Sequence, residues 1–180
     1  IIENYEELRT ELQQHGHTFV SETDTEVLAH LIGEECARTS DLATASTTAL
    51  ARVKGTYGVA VMCVDQPNTI FTARMGSPIA IGVKDGEYLV ASDTAPMLRH
   101  TQHVIYLNDG EYAVLTPQGY NIFSFTHEPQ ERTPETLAMN MEEVQKGGHA
   151  HFMLKEILEI PQVLENSARG RIVMKERVAK

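Results

Sequence analysis

Asp24 is the residue of this chain best placed to do chemistry. It lies in the run Ser21-Glu22-Thr23-Asp24-Thr25-Glu26, directly ahead of an apolar stripe, so it falls in the first turn of a helix that follows an extended run. A carboxylate there gains roughly 0.3–1 kcal/mol from the free backbone N–H groups and the helix dipole. That gain alone accounts for an acidic residue. The functional reading is that the carboxylate projects from the junction to meet a ligand's ammonium group. The residues by themselves leave both readings open.

Other candidate groups fall away on spacing. The eight histidines include the close pairs His15/His17, His100/His103 and His149/His151. Zinc needs three or four converging His, Cys or carboxylate ligands. Neither Cys36 nor Cys63 stands beside a histidine pair, and no His-Glu-x-x-His or Cys-x-x-Cys occurs, so no metal site is expected. No Gly-x-Ser-x-Gly elbow is present; Gly76-Ser77-Pro78 reads as a turn. The phosphate-cradling glycine loops are missing too, and no cofactor is expected. Both cysteines sit in apolar stretches without a base nearby and read as core thiols.

The elements that must position Asp24 are written in local patterns. Asn4 with Glu7 resembles a capping box, and Tyr5, Leu8 and Leu12 share a helical face, predicting a helix over 4–15 that stops at Gly16. His17–Val20 alternates like a short strand. Thr23 with Glu26 forms a second capping box, and Val27, Leu28, Leu31 and Ile32 make the clearest helical stripe in the chain. A third helix is expected over Asp41–Val53, closed by Lys54 and Gly55.

After Gly55 the texture turns to strands: Thr56–Val64, Thr69–Met75, Ile79–Val83, Tyr88–Ala91, His103–Leu107, Tyr112–Thr116 and Tyr120–Phe125. Turns are expected at Gln66-Pro67-Asn68, Gly76-Ser77-Pro78, Lys84-Asp85-Gly86, Asn108-Asp109-Gly110 and Pro117-Gln118-Gly119. Such close spacing implies antiparallel sheet, interrupted by one short helix at Pro96–His100. Beyond a polar connector, Pro134–Val144 reads as helical and Lys146-Gly147-Gly148 as a break. A short helix through Phe152, Ile157 and Ile160 should end at Pro161, and Met174–Lys180 should fray.

Bulk properties set the class. With 180 residues, 42% of them hydrophobic, the chain can bury one sizeable core and little more. The net charge of −10 and the lack of any basic run argue against a nucleic-acid partner. No apolar stretch approaches the ~18 residues a membrane span needs, and no secretory pattern opens the chain, so membranes are not expected and a cytoplasmic location is.

Several segments together resemble the glutaminase half of the glutamine–fructose-6-phosphate aminotransferases. They are Ile1-Ile2-Glu3-Asn4-Tyr5, Phe19 through Val27, Arg74-Met75-Gly76-Ser77-Pro78, Val90-Ala91-Ser92-Asp93, and Phe152 through Ile157 followed by Pro161 and Arg169-Gly170-Arg171. The resemblance implies an α+β fold of the N-terminal-nucleophile hydrolase type, two antiparallel sheets packed with helices, here reading as N-terminally truncated. It implies a glutaminase part over 1–146, and over 147–180 a linker with the first helix of a sugar isomerase domain. In that family an N-terminal Cys attacks the glutamine amide, an Asn-Gly pair holds the oxyanion, an Arg grips the α-carboxylate and an Asp binds the α-amino group. Only the last of these carries over, onto Asp24.

No catalytic residue is assigned, and glutamine is the expected small-molecule partner. The 180 residues read as a fragment without glutaminase activity of its own, from an enzyme that makes glucosamine 6-phosphate. A homo-oligomer, in the simplest case a dimer, is expected because the truncation should uncover apolar sheet surface. The alternatives are a non-catalytic module that binds amino acids or self-associates, or a piece of another class II amidotransferase such as amidophosphoribosyltransferase.

Overall fold

The computed structural model describes residues 1–137, 148–168, 172–173 and 178–179, with side chains described as far as Glu165. The chain divides into two compact units, Ile1–Leu137 and Ala138–Lys180.

The first unit opens with three helices, α1 (Tyr5–Gln14), α2 (Asp24–Thr39) and α3 (Leu42–Leu50). The stripe that predicts α2 is the face it buries: Val27, Leu28, Leu31 and Ile32 all join the main core. Asp41 caps α3, its carboxylate accepting from the Thr44 N–H at 2.8 Å. At the other end of α2, Ser40 takes the left-handed conformation (φ 54°) that lets the chain turn sharply into α3.

Two four-stranded antiparallel sheets follow. One has the order β1-β2-β6-β7, from Tyr57–Cys63, Gln66–Met75, Glu111–Thr116 and Gly119–Ser124. The other has the order β4-β3-β5-β8, from Glu87–Ala91, Ala80–Lys84, His103–Tyr106 and Glu135–Thr136. The alternation along β6 shows how they stack. Tyr112 and Val114 face the helices, while Ala113 and Leu115 face Ile81 and Ile105 of the other sheet. On the second sheet's far side Met97, from a short 3₁₀ helix at Ala95–Arg99, packs with Ala80 and Val104. This is the α+β sandwich expected from the sequence.

Several local expectations need correction. His17–Val20 is not a strand; the His17 N–H donates to the Leu12 carbonyl, His17 Nε2 meets Glu34, and the Val20 N–H donates to the Glu26 carboxylate. Neither capping box forms. Asn4 spends its amide across the fold, donating to the Arg52 carbonyl (3.0 Å) and accepting from the Lys54 N–H (2.9 Å). Thr23 makes no side-chain cap bond. The expected turn at Gln66-Pro67-Asn68 lies two residues earlier, at Val64-Asp65. Pro67 is tolerated inside β2 because the β1–β2 register shifts there and β6 pairs only from Ile70 onward.

Glu135–Thr136, expected to be helical, pairs with His103 and Val104 as strand β8; residues 138–144 of that expected helix lie outside the described residues. In the second unit α4 (Phe152–Ala168) runs through Pro161 instead of ending there. Proline removes one backbone donor, and the apolar spacing continues beyond it in Val163 and Leu164. Ile172–Val173 and Val178–Ala179 pair as β9 and β10, so this tail is not wholly frayed. Arg169-Gly170-Arg171 lies outside the described residues.

Candidate functional site

Asp24 is the first residue of α2, and its N-cap Thr23 arrives in an extended conformation (φ −79°, ψ 142°). That geometry turns the side chain toward the start of the chain. Its Oδ2 accepts the Ile2 N–H at 2.9 Å. Ile2 is in turn fixed by packing and pairing: its side chain is 2% exposed, and it bridges Gly55 in antiparallel fashion. Ile1 and Thr56 exchange two hydrogen bonds, Ile1 N to Thr56 O at 2.7 Å and Thr56 N to Ile1 O at 3.2 Å. One carboxylate oxygen therefore holds the first residues against the head of α2, and Oδ1 makes no protein hydrogen bond among the described residues.

A cleft of about 430 Å³ opens at this junction. Its polar side chains are those of Asp24, Thr25, Thr56, Tyr57 and Ser77, and Gly58 and Ala60 of β1 form part of its wall. Asp24 is the one charged side chain of this lining. A single carboxylate among hydroxyls and peptide groups suits a small ligand bearing an ammonium group. Larger clefts lie elsewhere, one of about 550 Å³ between α3 and the Tyr57, Phe125 and His127 side chains, but no carboxylate lines that one.

The loop leading into α2 is organised by Glu26. Its carboxylate accepts the Ser21 hydroxyl and the N–H groups of Val20 (2.8 Å) and Ser21 (2.7 Å). The Ser21 hydroxyl first and the Val20 N–H second lower its pKa to about 2 from 4.5. Because the folded value lies below the unfolded one, the stabilisation is complete above about pH 4.5 and fades as pH falls toward 2. Glu26→Gln is therefore expected to lower the melting temperature at neutral pH, with the gap to the unsubstituted chain closing at about pH 2–3. A gap of constant size across thermal melts from pH 7 to pH 2 would contradict this.

Three of the candidate histidines have side-chain partners. His15 Nδ1 and His17 Nε2 share one oxygen of Glu34, at 2.9 and 3.0 Å. His103 meets Thr136. Among the described residues no group of His, Cys, Asp and Glu is arranged to hold a metal ion. Cys36 and Cys63 lie against each other beside the main core, and burial first, then Cys63, pushes the Cys36 thiol up. Neither thiol lines the Asp24 cleft.

Of the cleft residues, sequence reading singles out only Asp24. Thr25, Thr56 and Ser77 carry no signal of their own; Ser77 stands in a turn motif, and Thr56 follows the Gly55 break.

A family model described as "Glutamine amidotransferase domain" matches residues 1–111. A protein of Chlorobaculum tepidum named "Glutamine--fructose-6-phosphate aminotransferase [isomerizing]" is 44% identical over 178 residues, covering 98% of this chain and 29% of the relative. A protein of the same name from Thermotoga maritima is 44% identical over 172 residues, covering 96% of this chain and 28% of the relative. The chain thus spans less than a third of the length of these relatives. Among solved structures, glutamine phosphoribosylpyrophosphate amidotransferase of B. subtilis, complexed with ADP and GMP, superposes with a TM-score of 0.56 at 27% identity, covering 69% of this chain and 27% of that one.

Proposed function

Because the chain belongs to the glutamine amidotransferase family, we propose that it forms the glutamine-holding part of an enzyme that moves the amide nitrogen of glutamine onto fructose 6-phosphate, giving glucosamine 6-phosphate. The observation that carries the reading is the carboxylate of Asp24, anchored through Oδ2 to Ile2 and lining a cleft of about 430 Å³. In this proposal Asp24 receives the α-ammonium group of glutamine. The sugar acceptor rests on the likeness to the Chlorobaculum and Thermotoga proteins, which cover nearly the whole chain at 44% identity. The likeness to the phosphoribosylpyrophosphate enzyme is lower in identity and rests on shared fold.

Residues 1–146 are assigned to the glutaminase part, and residues 147–180 to a linker and the opening helix of a sugar-isomerase part, a place that α4 suits. The compartment is proposed to be the cytoplasm; among the described residues no helix is long and apolar enough to cross a membrane. Calorimetric titration with L-glutamine tests the assignment of the cleft. The 180-residue chain is expected to bind it without releasing glutamate, since neither Cys36 nor Cys63 lines that cleft. Glutamate release by these residues alone would mean that the chemistry lies elsewhere.

Self-association is part of the same proposal. Met153, Ile157, Ile160 and Leu164 recur along α4 at spacings of four, three and four, each about half or more exposed, the pattern of a helix-pairing seam. Light scattering is expected to report a dimer that Ile157→Lys dissociates. A monomer at every concentration would remove this part of the proposal.

A further inference from the structure

The turn Gly76-Ser77-Pro78 brings Ser77 to the cleft, and what fixes that turn lies outside the cleft altogether. Asp109 sits in the loop between β5 and β6. Its Oδ1 accepts two hydrogen bonds, from the Gly76 N–H at 2.9 Å and from Arg74 Nε at 2.9 Å. Arg74 also donates through Nη1 to the Leu107 carbonyl at 2.7 Å, and its own carbonyl accepts the Gly110 N–H at 3.0 Å. The end of β2 is thereby fastened to the β5–β6 loop at four points. The Gly76 N–H first, then Arg74, hold the Asp109 carboxyl below its usual range.

The turn passes this fixation to the cleft by close packing. Gly76 has φ +77°, and a Cβ there would lie 2.6 Å from Thr56 Cγ2. A Cβ on Gly58 would lie 3.2 Å from the Ser77 carbonyl. Thr56 and Gly58 both line the cleft, and Thr56 also holds Ile1. The turn therefore packs on two wall residues, Gly76 against the Thr56 side chain and the Ser77 carbonyl, with Ile79, against Gly58.

We propose that Asp109 is a positioning residue for the Asp24 cleft: through the Gly76 amide and Arg74 it sets where the Gly76–Ser77 turn stands, and so how well the cleft fits glutamine. This rests on the reading of that cleft as a glutamine site. Asp109 touches no ligand in this arrangement. It acts through Ser77.

The test is glutamine titration of the 180-residue chain carrying Asp109→Asn, Asp109→Glu or Ser77→Ala, with thermal melts alongside. Asp109→Asn keeps the shape and weakens both accepted bonds, so affinity should fall roughly five- to tenfold. Asp109→Glu, which retains the charge, should recover most of it, and hydrogen exchange at the Gly76 amide should speed up in the Asn variant alone. Combining Asp109→Asn with Ser77→Ala should cost less than the sum of the two, because they act through one turn. If the unsubstituted chain binds and Asp109→Asn binds equally well, this inference is overturned while the glutamine reading stands. If the unsubstituted chain does not bind millimolar glutamine, the reading itself fails and takes this inference with it. A loss that Asp109→Glu does not restore, tracking the fall in melting temperature, assigns Asp109 a purely structural role and also overturns the inference.

Discussion

Asp24→Asn is expected to weaken glutamine binding by roughly ten- to a hundredfold, the worth of a hydrogen-bonded charge pair in a partly enclosed site. The substitution is chosen for what it keeps. An Asn oxygen can still accept the Ile2 N–H that Asp24 accepts at 2.9 Å, so the first residues should stay seated and the melting temperature should move little. Asp24→Ala removes the anchor as well and should add about 1 kcal/mol of destabilisation. A matched ligand separates charge recognition from shape. The analogue of glutamine lacking the α-amino group should bind the unsubstituted chain poorly, and Asp24→Asn should erase that preference. Calorimetry in which the variant still prefers glutamine over the analogue would show that the ammonium group is met elsewhere.

The helix that carries Asp24 was the most legible part of the sequence. A stripe of four apolar residues at helical spacing has one economical outcome, burial of that face, and Val27 and Leu31 end at 0% and 1% exposure. The strands were legible for a similar reason, since β-branched runs between turn residues have few ways to bury themselves. The same residues did not say what Asp24 was for, because a helix start rewards an acid there whether or not a ligand comes.

What stayed hidden was decided across the fold. Thr23 and Glu26 have the spacing of a capping box, yet the Glu26 carboxylate accepts the Val20 and Ser21 N–H groups of the preceding loop. Asn4 bonds residues 48 and 50 positions away. Asp109 looked like an ordinary turn residue, since the two donors it accepts from lie 35 and 33 positions earlier in the chain. Local pattern carries no information about such partners. Pro161 is the converse case, where a strong local stop signal lost to the apolar sequence on its far side.

Among glycine-to-alanine changes in the first unit, Gly55→Ala should be the most destabilising. Gly55 has φ +118°, and an ideal Cβ there would stand 2.3 Å from the Ile1 carbonyl oxygen. Both atoms are fixed to backbone, so no rotamer change relieves the overlap. Residues 1–3 would have to lift away, losing the two Ile1–Thr56 bonds, the Glu3 N–H to Lys54 bond at 2.8 Å and the buried side chain of Ile2. Exposing that isoleucine costs about 1.5–3 kcal/mol, and any strain left in the backbone adds about 1–3 kcal/mol. Gly86→Ala is the control, because Gly86 has φ +71° with no atom within 4 Å of its would-be Cβ; it should report the conformational cost alone, about 1 kcal/mol. Denaturant unfolding that ranks the two variants equal would mean that the first residues do not press on Gly55. Lifting residues 1–3 also takes the Ile2 amide away from Asp24, so Gly55→Ala should weaken glutamine binding as well as stability. A variant that lost stability and bound normally would show that the carboxylate finds its orientation without the chain that leans on it.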